Sequence, residues 1–295
     1  MDPKLQRRVQ RYGWDLAASK YESLWKEQLA PAQAELLAAA ALVPGARVLD
    51  VACGTGLVSL QAAVAVGPTG RVCGTDLSAQ MIEAARRNGQ VRGLPNVKFV
   101  RMDAESLALP DASVDVALCA LGLMYLPNPE LALREMRRVL HRDGRAVIAV
   151  WGERSRCAWS ALFPIVDLEV SSEVCPLFFR LGQSDALVRL CSAANFDIIE
   201  QRRLESTLNY VDAEDVCDAA FVGGPVALAW SRFDEATRDR VRARYLEAID
   251  PWRDGRGYRL PAEFVIVSAD VSRQGPEKPY GRVITSNRCP LGSSK

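Results

Sequence analysis

The chain has one histidine, His141, among 295 residues, so no metal site built from several histidines can exist and general-base chemistry falls to that residue, carboxylates, Tyr, Lys or Cys. It has eight cysteines but no CxxC pair. Nearest neighbours stand 16 or more positions apart, which is no zinc-ligand spacing, and most of these thiols are expected reduced and buried. A long apolar run is missing too. The longest, Leu36 to Val43, is far short of the ~20 residues of a membrane span, and the amino terminus shows no apolar stretch after its basic residues. Charge of either sign is not in excess: 37 Lys and Arg face 36 Asp and Glu, a net +1, so no global field attracts nucleic acid or an anionic membrane. With 49% apolar and 25% charged residues, the chain has the composition of a folded protein. These features predict a cytoplasmic protein without metal, nucleic acid or membrane span.

What is present is rhythm. ARVLDVA (46–52) follows the Pro44-Gly45 turn as a short β-branched strand, runs into CGTG, and gives way to the helix-compatible LVSLQAAVAV. RVCGTD is a second strand, SAQMIEAARRNGQ a helix capped by Ser78, NVKFVRMD a third strand and SVDVALCALG a fourth; PELALREMRRVL is an amphipathic helix and GRAVIAVW a fifth strand. Such alternation predicts a parallel, doubly wound sheet. Beyond it, FDIIEQRRLEST and RLPAEFVIVSADV are the last two strands, with helical segments between them, and residues 5–40 are helical. The predicted architecture is α/β, Rossmann-like and doubly wound, with a seven-stranded, mostly parallel sheet. Its parts are an amino-terminal helical lid (1–40), the sheet core (41–152), the remaining strands with a helical cap (153–274) and a tail (275–295).

Glycines closing a first strand let backbone approach a ligand, and in such sheets ligands collect at the carboxyl ends of the strands. Gly54 and Gly56 stand there. The dinucleotide fingerprint G-x-G-x-x-G would need glycine at 59, where this chain has Ser59. Asp50, four residues before Gly54, suits an ammonium group better than a pyrophosphate. Asp76, ending the second strand, can accept two ribose hydroxyls. Asp103-Ala104, ending the third, adds another carboxylate at the same edge.

The stretches VLDVACGTG, GTDLSAQMIEAAR, FVRMDAESLALPDASVDVALC and LREMRRVLHRDGRAVIAVWG, in this order and spacing, resemble the successive motifs of class I S-adenosylmethionine-dependent methyltransferases, in the ubiquinone/menaquinone methyltransferase-like branch. The resemblance covers about residues 44–152. It implies that Asp50 and the loop Ala52, Cys53, Gly54, Thr55 and Gly56 hold the methionine end of S-adenosylmethionine, which leaves as S-adenosylhomocysteine. Asp76 would take the ribose, Leu77 and Met81 would pack on the adenosine, and Asp103 and Ala104 would bind the adenine edge. Cys119, at the mouth of the fourth strand, is counted with these residues. Ala52 stands where many relatives have glycine, and His141 to Gly144 replaces a Pro-Gly-Gly turn remote from the cofactor.

The aromatic residues flanking the sheet supply an apolar acceptor pocket or lid: Tyr12, Trp14, Tyr21 and Trp25 before it, Trp159 and Phe163 after it. A sulfonium methyl is already activated, so positioning does most of the work. The acceptor then brings its own nucleophilicity, with Tyr125 as a candidate catalytic helper. The expected reaction is methyl transfer to a small apolar or aromatic metabolite. Two other readings stand beside it: thiol or metalloid methylation using cap cysteines Cys157 and Cys175, and a non-catalytic cofactor-binding subunit regulating a partner. A homodimer is compatible with either.

Overall fold

In the computed structural model, which describes residues 2–170 and 178–272, the amino-terminal segment is one helix, α1 (Pro3–Ala40). Asp2 caps it, and Pro31 lies within it, where it cannot donate to the carbonyl four residues back. The β-branched run after Pro44-Gly45 forms β1 (Arg47–Val51). Then come α2 (Leu57–Val66), β2 (Arg71–Asp76), α3 (Ala79–Val91), β3 (Val97–Arg101), β4 (Val114–Ala120), α4 (Pro129–Val139) and β5 (Leu140–Trp151). The Ser78 hydroxyl accepts from the Met81 amide at 3.1 Å, which is the cap of α3 that the sequence shows.

The second half is less regular. Short 3₁₀ turns lead from Arg154 into α5 (Leu162–Val170), and α6 (Ala186–Ala193) precedes the long β6 (Phe196–Tyr210). Between β6 and the last strand lie α7 (Ala213–Phe221), α8 (Ala227–Arg232) and α9 (Glu235–Ile249), then a two-residue strand β7 (Arg253–Asp254) and β8 (Gly257–Val271). Cys175, Cys289 and the tail 275–295 fall outside the described residues.

The sheet order is β3-β2-β1-β4-β5-β8-β6, with β7 paired to β8. Neighbours from β3 to β5 are parallel, while β8 runs antiparallel to both β5 and β6. This is the predicted mostly parallel sheet of seven strands with one short strand added. Helices cover both faces, so Leu49, Leu118, Ile148 and Phe264 at its centre are fully buried. The chain runs outward from β1 through β2 to β3 and then returns to β4 on the other side, so the order reverses between β1 and β4. A crevice opens at that point beyond the carboxyl ends of the strands.

The opposite edge holds His141. Pairing jumps from Val114↔Leu140 to Val116↔Arg145, so residues 141–144 bulge out at the start of β5. There His141 lies beside Arg47 and 3.8 Å from Asp115.

Candidate active site

The loop after β1 is shaped by backbone conformation. Ala52 and Gly54 both have positive φ, 55° and 54°, and Gly56 begins α2 at φ 88°. Glycine is required at 56 for a packing reason as well, since a Cβ there would stand 2.9 Å from the Phe99 ring. Ser59, the residue that breaks the dinucleotide fingerprint, donates its hydroxyl to Asp50 Oδ2 at 2.5 Å. Asp50 is 1% exposed, and its Oδ1 has no partner, nor has the buried Thr55 hydroxyl. Burial, aided by the nearby charge of Asp76 and opposed by the Ser59 bond, pushes the Asp50 carboxyl up to about 7.

Asp76 closes β2 and binds two loops at once: Oδ2 accepts from the Gly54 amide at 2.9 Å and Oδ1 from the Ser78 amide at 2.8 Å. Each oxygen keeps a lone pair for a further donor. Burial pushes this carboxyl up to about 6, although the backbone donors pull the other way. From α1, Asp15 accepts from the Ser78 hydroxyl at 2.6 Å and from the Gln80 amide at 3.2 Å, which fastens α1 to the start of α3. Farther along, Asp103 accepts from the Glu105 amide at 2.9 Å and pairs with Arg7 of α1 at 3.0 Å. Arg7 also pairs with the buried Glu105.

One cavity runs along this edge, lined by Gly54, Asp76, Leu77, Met81, Asp103 and Ala104 at one end. Its other end is aromatic, with Trp14, Tyr21 and Trp25 from α1 facing Tyr125, Trp151 and Trp159. Ring centroids lie 5.1 Å apart for Trp14 and Tyr125, 5.8 Å for Trp25 and Trp159, and 4.8 Å for Trp151 and Trp159. A smaller adjoining cavity is lined by Tyr21, Gln33, Asp50, Ala52, Cys53 and Ala120.

Several predicted residues stand elsewhere. Tyr12 is 46% exposed with the Arg11 guanidinium 4.6 Å above its ring; it faces out because the helical period turns it away from Trp14. Phe163 packs behind Trp159 at 5.5 Å and lines neither cavity. Thr55 and Gly56 support the start of α2, and Cys119 is buried one position short of Ala120, whose side of the strand faces the cavities. Cys157 donates to the Glu263 carbonyl at 3.6 Å, and burial holds its thiol up at about 12, so it is neither placed nor ionised for thiol chemistry. Sequence reasoning missed Gln33, Gly122, Leu121 and Trp151, and the clamp from Arg7. A stripe at helical spacing through residues 7, 14, 21, 25, 29 and 33 would have found those on α1.

The residues present fit S-adenosylmethionine. An unpartnered buried carboxylate oxygen awaits a cation, a carboxylate already oriented by two amides can accept a diol, and apolar side chains of Leu77 and Met81 offer faces to a ring. The comparisons agree. A family described as "Methyltransferase domain" matches residues 49–148. Aklanonic acid methyltransferase DauC of Streptomyces sp. (strain C5) is 36% identical over 132 residues, 45% of this chain and 60% of that protein. The ubiquinone/menaquinone biosynthesis C-methyltransferase UbiE of Azotobacter vinelandii is 36% identical over 186 residues, 62% of this chain and 72% of that protein. For several other relatives of this type the match spans less than half of their length. In fold, the YcgJ protein of Bacillus subtilis superposes with a TM-score of 0.58 at 20% identity, over 83% of this chain and 100% of that one. The coverage of the Azotobacter relative, with the strand-end carboxylates and the sheet order, carries the conclusion: this chain belongs to the class I S-adenosylmethionine-dependent methyltransferases of the ubiquinone/menaquinone C-methyltransferase type.

Proposed function

We propose that this chain moves a methyl group from S-adenosylmethionine to a small aromatic or otherwise apolar metabolite held between α1 and the segments that follow β4 and β5. The observation that carries this reading is the continuity of one cavity, with the half-buried carboxylates of Asp76 and Asp103 at one end and indole and phenol rings at the other. Asp50 and the 52–54 loop would hold the amino-acid end of the cofactor, Asp76 the ribose, Leu77 and Met81 the ring faces, and Asp103-Ala104 the far edge. When bound, the cofactor supplies an activated methyl on a cationic sulfur.

The chain's own part is then positioning and exclusion of water. The rings of Trp14, Trp25 and Trp159 can hold a flat acceptor, and their faces favour a cation without attacking it. Tyr125 lines the cavity against Trp14 and Phe178, so its hydroxyl is the group set to exchange a proton with an acceptor oxygen. The only histidine is at the opposite edge of the sheet, which favours an acceptor that brings its own nucleophilicity. The names of DauC and of the Azotobacter relative speak of aklanonic acid and of quinone biosynthesis, small organic acceptors rather than macromolecules. Among the described residues no helix is long and apolar enough to cross a membrane.

The test is label transfer. Methyl-labelled S-adenosylmethionine should mark phenols, quinols or related ring compounds in a panel that also contains thiols, amines, RNA and peptides. Transfer confined to thiols or to a macromolecule would overturn the proposal.

A further inference from the structure

The stripe that α1 buries is apolar almost throughout, from Ala17 and Ala18 through Trp25, Leu29, Ala32, Leu36 and Ala40. Gln33 is the exception. It is 6% exposed, and an amide buried on a helix face costs free energy that an apolar residue there would not, unless something binds it. It lines the smaller cavity with Tyr21, Asp50 and the 52–54 loop. That cavity measures about 20 Å³, room for one group the size of water, and an ammonium is of that size. Asp50, with its unpartnered Oδ1, forms another wall. Tyr21 crosses it, with its ring 3.7 Å from where a Cβ on Gly54 would stand.

We infer that Gln33, together with Tyr21, makes the lid helix a specificity element for the amino-acid end of the cofactor: Asp50 and the Gln33 amide oxygen accept from the ammonium in the small cavity, and the hydroxyl of Tyr21, which lines both cavities, donates to the carboxylate in the main one. This rests on the S-adenosylmethionine reading of the main cavity and adds that α1, not only the strand-end loops, recognises that ligand. Burial and the charges of Asp76 and Asp50 hold the Tyr21 hydroxyl above its ordinary range, so it stays protonated and donates. Because both groups are on α1, closing the lid and gripping the amino acid are one event.

The experiment compares two ligands on the full chain by calorimetry: S-adenosylhomocysteine, and 5′-methylthioadenosine, which keeps the nucleoside and thioether but lacks the amino acid. Gln33→Met, equal in length and apolar, should weaken S-adenosylhomocysteine about tenfold, the loss of a hydrogen bond to a charged group, and leave 5′-methylthioadenosine within about twofold. Tyr21→Phe should act in the same sense. S-Adenosylhomocysteine, but not 5′-methylthioadenosine, should slow amide exchange in residues 14–33 of the unaltered protein, a readout that holds even if a variant fails to fold. Equal weakening of both ligands, weakening of neither, or equal protection by both overturns the inference and leaves the cofactor reading standing. An unaltered protein that binds neither ligand overturns both.

Discussion

Along one cavity Asp76, at the end of β2, and Asp103, after β3, present carboxylates, and both are oriented by backbone N–H groups from two residues away or from the neighbouring loop. The aromatic end is held differently. Its indoles and phenols touch mainly one another, across sequence separations such as Trp14 to Tyr125 and Trp25 to Trp159. The first region is set by short-range hydrogen bonds and lies within the segment that matches the methyltransferase domain; apart from Tyr125, the second lies outside it, in α1 and after residue 148. The difference teaches that a row of strand-end carboxylates can be set by local backbone rules. The arrangement of the aromatic end depends instead on long-range packing of α1 against the second half of the chain.

Removing one ring from the aromatic end should have the largest effect. Trp159 is 2% exposed and touches Trp25, Trp151, Phe163, Phe178 and Phe179, so Trp159→Ala should cost about 3–5 kcal/mol in chemical denaturation. If the two ends are separable, calorimetry below the transition should still find S-adenosylhomocysteine bound, and loss of both together would break the division. Next comes Asp76→Ala, which should weaken the cofactor about tenfold or more, since charge-assisted hydrogen bonds contribute roughly 1.5–3 kcal/mol each. Unchanged affinity in a folded variant would remove Asp76 from the ribose.

A pH series sharpens the contrast further. Asp50 and Asp76 have carboxyls raised to about 7 and about 6, above the ordinary value near 4. The folded state therefore binds protons more tightly than the unfolded chain, and the stability they lend is present below about pH 4 and lost as pH rises toward about 7. The melting temperature of the unliganded protein should fall across that window, and the Asp50→Asn, Asp76→Asn double variant should flatten the fall. Affinity for cationic S-adenosylmethionine should move the other way and rise as the pair ionises. A melting profile equally steep in the double variant would assign the titration elsewhere. The smallest effect is expected at the far edge of the sheet: His141→Ala should leave cofactor binding unchanged and alter stability by no more than about 0.5 kcal/mol.

The carboxylate end was legible in the sequence because its rules are local. A strand, a glycine loop and an acid at each strand end lie within a few residues of one another, and the Ser78 cap follows at once. The aromatic end was legible as a supply of rings and not as an arrangement. Tyr12 and Trp14 differ by two positions, enough to put one outside and one within, and Phe163 differs from Trp159 by one helical turn yet stands behind it. Cys119 and Ala120 differ by one position on a strand, where a single step exchanges faces. Trp151 gave no local signal and Gln33 only its place in the α1 stripe, since each becomes a wall only when α1 crosses the strand ends.

The geometry at Ala52 also orders the chain's possible histories. Ala52 holds a left-handed backbone, and its methyl occupies the space beside Gly122, where an added Cβ would stand 2.4 Å away. Gly122 can therefore become alanine only in a chain whose residue 52 is already glycine, whereas Ala52→Gly needs no companion. The two positions exclude each other's side chains, and a survey of relatives would test it by the scarcity of sequences with a side chain at both.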